Sequence, residues 1–82
     1  MEPKFKPQDY IINHTSGDMG IVKGISKKKY YQFKEYYGGM FEELKPKGFE
    51  LQINYQKFFD LCTDEEKKKF DTIIKENKET VA

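Results

Sequence analysis

Residues 30–39 read Tyr30-Tyr31-Gln32-Phe33-Lys34-Glu35-Tyr36-Tyr37-Gly38-Gly39. Flat aromatic rings pack well on a pleated surface, so this run predicts the strongest strand of the chain. A period of two places Tyr31, Phe33, Glu35 and Tyr37 on one side. Tyr30, Gln32, Lys34 and Tyr36 then point to the other. Gly38-Gly39 ends the strand in a hairpin-type turn.

On the N-terminal side, Gly20–Ser26 is a second β-rich run, joined to the first by a turn at Lys27–Lys29. Before it, Tyr10–Asn13 reads as a short strand, and His14 to Asp18 supplies turn residues with Gly17 free to take positive φ. Residues 1–7 hold two prolines and are expected to run extended, with Phe5 tucked onto the core. On the C-terminal side, Met40–Leu44 is expected to return as a strand, broken by Pro46-Lys47-Gly48. Phe49, Leu51 and Ile53 alternate again. After Asn54 the period changes. Tyr55, Phe58, Phe59 and Cys62 fall at i, i+3, i+4 and i+7, which predicts a helix face. Thr63-Asp64-Glu65-Glu66 is a capping box. A second helix follows to about Asn77, with Phe70, Ile73 and Ile74 as its apolar face. The expected fold class is α+β: a small barrel of four to five strands followed by two short C-terminal helices. It forms a single domain over 1–82, with the barrel at 8–54 and a helical cap at 55–77.

A length of 82 residues fits one small domain. Such a domain buries only about 60 % of its unfolded surface. All fifteen basic residues are Lys, against fourteen acids, which leaves a net charge of +1. Cys62 has no partner for an internal disulfide, which favours a reducing, cytoplasmic setting. One His and one Cys cannot build a zinc site, and no metal or cofactor is expected. Apolar runs reach only two residues, as at Ile11–Ile12, so no membrane span is expected.

The run from Phe5 to Asn13, followed by Gly17-Asp18-Met19-Gly20-Ile21-Val22-Lys23-Gly24-Ile25, resembles the opening of small SH3-like barrels. It is similar to the KOW type and to the RNA-polymerase-interacting domains of the CarD and transcription-repair coupling families. Gln8 stands where those families usually have Gly. The resemblance covers about residues 5–25, and in outline reaches residue 44. It implies an SH3-like barrel that contacts a protein partner or ribosomal RNA. The small size and AT-rich residue usage also resemble those of prophage or mobile-element proteins.

Local charge is uneven. Lys23, Lys27, Lys28, Lys29 and Lys34 lie between residues 19 and 34 without an acid. Together with Tyr30, Tyr36 and Tyr37 they form the expected partner-binding surface. Tyr gives large contact area at low entropic cost and is enriched at interfaces. The expected function is a non-catalytic protein-interaction module. It would be an inhibitor or regulator of a host protein complex, such as a defence nuclease (an anti-CRISPR role) or RNA polymerase. The alternative is a nucleic-acid-binding barrel, with lysines on phosphates and bases stacked on Tyr30 and Tyr36. Absence of Arg removes the commonest reader of guanine. No enzyme is expected. His14 with Ser16 and Asp18 lies in one turn and lacks the rigid geometry of a triad. Cys62 reads as a small core residue. Glu35, Glu42 and Glu43 do not share one face, so they make no metal site.

Overall fold

The strand at Tyr30–Gly38 (β3) is the hub of a six-stranded antiparallel sheet. Its other members are β1 (Tyr10–Ile12), β2 (Met19–Ile25), β4 (Glu43–Leu44), β5 (Glu50–Gln52) and β6 (Asp60–Leu61). A 3₁₀ segment, Ile53–Phe58, links β5 to β6, and one α-helix, Asp64–Val81 (α1), ends the chain. The structure, a computed structural model, describes residues 2–81 and side chains up to Lys78.

The strand order is β4-β3-β2-β1-β6, with β5 also pairing β3. The α+β class therefore stands, but the expected closed barrel does not form. The β6 edge and the β4/β5 edge do not meet, and the sheet stays open. Its terminal strands are only two or three residues long, which limits the unpaired backbone an edge exposes.

β3 does not keep one alternation throughout. Ile21 pairs Glu35, Val22 pairs Phe33, and Gly24 pairs Gln32. Lys34 is thus an extra residue on β3, and Lys23 an extra residue on β2. Each is a bulge that shifts the side-chain pattern by one. Tyr31, Phe33 and Tyr36 consequently share one face, where a regular strand would have set Tyr36 opposite.

The sheet buries both faces. On one, Phe5, Ile11, Val22, Tyr31, Phe33, Tyr36 and Phe59 form a core, with Phe49, Leu51 and Ile53 packed against it. On the other, Ile12, Met19, Ile21, Cys62 and Phe70 form a second core, flanked by Tyr10, Tyr37, Ile73 and Ile74. Adjacent Ile11 and Ile12 enter different cores, as a pleated strand requires. Phe70 is fully buried, edge-on to Tyr10 at 5.9 Å. Burying a side chain of this size stabilises by about 1.5–3 kcal/mol.

Two expected helices become one. The segment 55–62 is not an α-helix. The 3₁₀ turn stops at Phe58, and Phe59 is extended at φ −115° and ψ 149°. β6 then pairs β1, with Ile11 opposite Leu61. Phe59 and Cys62, three apart on extended backbone, enter different cores, and Tyr55 and Phe58 stay exposed. The sheet therefore continues past residue 54. α1 keeps the expected face of Phe70, Ile73 and Ile74 but continues to Val81, beyond the expected end near Asn77. Its capping box closes reciprocally. Thr63 N–H donates to Glu66 Oε1 at 2.8 Å, and Glu66 N–H donates to Thr63 Oγ1 at 3.2 Å.

Among the described residues Gln56 is the one buried polar side chain. Its Oε1 accepts from Lys4 N–H at 2.7 Å and from the Tyr31 hydroxyl, and its Nε2 donates to Glu2 O at 2.8 Å. The Tyr31 oxygen also accepts from Phe5 N–H at 3.1 Å. This network holds the lead-in over the first core. Replacing Gln56 by Leu should cost about 1–3 kcal/mol, because the acceptor is lost from buried donors. On a chain of this size, thermal unfolding should then fall by several degrees, about 4–8 °C per kcal/mol. Amide exchange at Lys4 and Phe5 should rise with it. An unchanged midpoint and unchanged exchange would remove Gln56 from this role.

Candidate functional site

The eight residues expected to form one partner surface are distributed over separate places. Lys27, Lys28 and Lys29 are exposed at the β2–β3 turn. Ser26 N–H donates to Tyr30 O at 2.8 Å, and Lys29 takes the left-handed conformation at φ 63°. Tyr30 is half-buried, and its hydroxyl accepts from Gln52 Nε2 at 3.1 Å. Tyr37 leans on the helix-side core. Tyr36, expected as an exposed ring, is only 3 % exposed. The Lys34 bulge turns it inward, where its hydroxyl donates to Asp18 Oδ2 at 2.8 Å. Burial and then Asp18 push its pKa well above the ordinary value for tyrosine.

Lys23 and Lys34, the two bulge residues, stay together. They meet Lys45 and Lys47 around a pair of adjoining clefts of about 260 and 360 Å³. Both clefts are floored by Phe33 and Phe49, whose ring centroids lie 6.3 Å apart. The segment Lys45-Pro46-Lys47-Gly48 forms the outer wall. On sequence it reads only as a strand breaker. Two lysines around a proline, between Leu44 and Phe49, were the signal that could have marked it.

Beside the clefts is an aromatic loop. Met40 and Phe41 are 72 % and 69 % exposed. They were expected within a returning strand, but the chain turns at Gly39–Glu42 and only Glu43–Leu44 pairs with β3. The loop is firmly tied. Gly39 N–H donates to Asp18 Oδ1 at 2.9 Å, so one carboxylate holds both Tyr36 and the loop. Phe41 N–H donates to Gly38 O at 3.1 Å. Gly39 lies against Gly17, such that a Cβ at Gly39 would stand 2.3 Å from the Gly17 carbonyl carbon. Gly17 itself has φ 80°. Lys45 Nζ sits 5.0 Å above the Phe41 ring and 2.8 Å from Glu43 Oε1. The loop and the clefts are thus one continuous surface.

His14 was expected as a plain exposed turn residue. It instead bridges two carboxylates, with Nε2 2.8 Å from Glu66 Oε2 and Nδ1 3.3 Å from Asp60 Oδ2. The carboxylates lie on opposite ring nitrogens, so the three side chains do not converge on a point that could hold an ion. Cys62 is buried, and desolvation pushes its thiol up to about 11. Tyr10 donates to Asp71 Oδ1 at 2.6 Å, and this hydrogen bond, followed by burial and the Asp71 charge, raises its pKa to about 12. Among the described residues no helix is long and apolar enough to cross a membrane.

The hydrogen bond to Glu66 is the main cause that raises the His14 pKa above 6.5, and the bond to Asp60 adds to it. The Thr63 amide, and then His14, lower that of Glu66 below 4.5. A raised histidine stabilises below its unfolded value and loses that effect as pH rises through its folded one. A lowered carboxylate stabilises above its unfolded value and loses it as pH falls. The bridge therefore contributes most between these values, around pH 5–6. His14→Ala should destabilise most there and progressively less as pH rises through the raised folded-state value of His14. The imidazole NMR titration should have its midpoint above 6.5 and shift down in Glu66→Gln. A midpoint that ignores this variant would exclude the bridge in solution. Separately, Gly39→Ala should cost about 1–3 kcal/mol through overpacking against Gly17, measured by denaturant unfolding.

No family model, no curated protein and no solved structure matches this chain, so its sites are read from their geometry.

Proposed function

We propose that the chain is a non-catalytic protein-interaction module, a small inhibitor or regulator that docks on a host protein complex. The observation that carries this is the Met40-Phe41 pair, exposed at 72 % and 69 % on a loop held at both Gly39 and Phe41. A loop already ordered in the free chain spares the backbone entropy of ordering it on binding, which is what an interface anchor needs. The lysines beside them would speed and orient the approach of an acidic surface. Cys62 is withdrawn from nucleophilic chemistry by its raised pKa, and His14 has both nitrogens engaged. The kinship with SH3-like polymerase-interacting modules belongs to the same proposal, since such domains work by touching a protein.

The test is capture with cross-linking from the native host, using the tagged chain beside Met40→Asp with Phe41→Asp. A partner retained by the natural chain should be lost from the double variant, with the circular dichroism unchanged. Capture that is indifferent to the double substitution would overturn the reading. The lysines of the clefts and of the β2–β3 turn favour nucleic acid as the second reading. It requires oligonucleotide binding that weakens steeply with salt and disappears when Lys27, Lys28 and Lys29 are exchanged for Glu.

A further inference from the structure

β3 is paired with β2 from Tyr31 to Tyr37 except at the Lys34 bulge, but its outer edge has a wider gap. β5 covers Tyr30, Tyr31 and Gln32, and β4 covers Tyr37 and Gly38. Lys45 N–H donates to Tyr36 O at 2.7 Å. Between them no strand pairs with Phe33, Lys34 and Glu35 among the described residues. The two clefts lie over this gap.

We infer that the gap is a subsite for an acidic segment of a partner protein, with its carboxylates on Lys34 and Lys47 and its apolar side chains toward Phe49 and Phe41. This deepens the interaction-module reading and rests on it.

The charges around the gap favour an anion. Glu35 is taken by Lys78 at 2.6 Å, and Glu43 by Lys45 at 2.8 Å. Lys34 Nζ donates to the neutral Gln8 Oε1 at 2.6 Å, so its charge has no counterion there. Lys23 and Lys47 line the gap with Glu50 as the remaining acid beside them. Three lysines thus face one uncommitted carboxylate. Lysine ammonium groups serve as point charges for carboxylates without demanding a bidentate geometry.

A nucleic acid fits less well. Phe33 is only 9 % exposed and Tyr36 is 3 % exposed, so these two rings of the floor offer no open face for a base, and Phe49, tilted against both, is left only partly exposed. The clefts are walled by the Lys45–Gly48 segment and do not run on to the Lys27–Lys29 turn. A backbone-tracking groove needs that continuity. Continuity exists on the opposite side instead, through Lys45 over Phe41. Acidic residues interleaved with apolar ones meet both features.

The experiment is an amide chemical-shift titration of the full ¹⁵N-labelled chain. The probes are a short peptide alternating Glu and Leu, its Lys-Leu counterpart, and oligo-dT. The Glu-Leu peptide should shift Lys34, Lys47 and Phe49, and the Lys-Leu peptide should not. Lys34→Glu with Lys47→Glu should weaken binding about tenfold or more, equal to about 1.4 kcal/mol. Lys68→Glu with Lys69→Glu on α1 should leave it within about twofold. Lys47→Ala, at an exposed loop position, gives a milder variant that should weaken binding in the same direction. Shifts that miss the gap, affinity indifferent to Lys34 and Lys47, or oligo-dT occupying the same amides at lower concentration would overturn the inference. If the peptide misses the gap while capture still depends on Phe41, only this subsite falls. If it fills the gap while capture ignores Phe41, the wider reading falls instead.

Discussion

The paired bulges at Lys23 and Lys34 are the constraint on which the rest of the structure depends. A strand of nine residues with regular alternation would send all its odd positions to one core. One extra residue on β3 and one on β2 each shift the phase of their own strand once, and together they return the register between the two strands. Phe33 and Tyr36 thereby share one face, with Gly20 beneath their rings, where a Cβ would stand 2.7 Å from Phe33 and 3.0 Å from Tyr36. Glu35 and Tyr37 are released to the helix side, where Glu35 meets Lys78. The bulges also place two charged side chains where a ladder position would have carried a packed one. The same local event serves two cores and opens the lysine-rimmed gap.

A second constraint fastens the loops to this sheet. Asp18 accepts from both the Tyr36 hydroxyl and the Gly39 amide. Gly17 and Gly39 approach backbone to backbone, which no side chain at Gly39 would permit. The β1–β2 turn and the β3–β4 loop therefore behave as one unit. At the opposite end of the molecule Gln56 and Tyr31 do the same for the N-terminal lead-in. A domain of 82 residues has little core to spare. Polar ties of this kind gain weight because each joins segments far apart in sequence. Gln8 shows the local strain that such a chain tolerates, with φ 79° at a position better suited to glycine.

Local chemistry read well where it was self-contained. The Thr63–Glu66 box closes as its spacing requires, and Phe70, Ile73 and Ile74 face the sheet. The Lys27–Lys29 turn, buried Phe5 and the Phe49, Leu51, Ile53 series also match. Tyr55, Phe58, Phe59 and Cys62 satisfy a helical period, yet β1 has an open edge that offers backbone hydrogen bonds to residues 60–61. Tertiary pairing overrode the pattern. Tyr36 was misplaced because a bulge leaves no mark in composition. Lys45 and Lys47 were overlooked because a strand breaker says nothing of what it stands beside.

The amino-acid sequence by itself determined the class of the fold, the dominant strand, the capped helix and its apolar face. Each depends on periodicity or on contacts within a few residues. Only the tertiary structure decided whether the sheet closed and which tyrosines were covered. It also decided which lysines stood together. Those outcomes depend on register between strands and on which segment takes an open edge. Both are set by pairing between residues distant in the chain, and no local window of sequence contains that information.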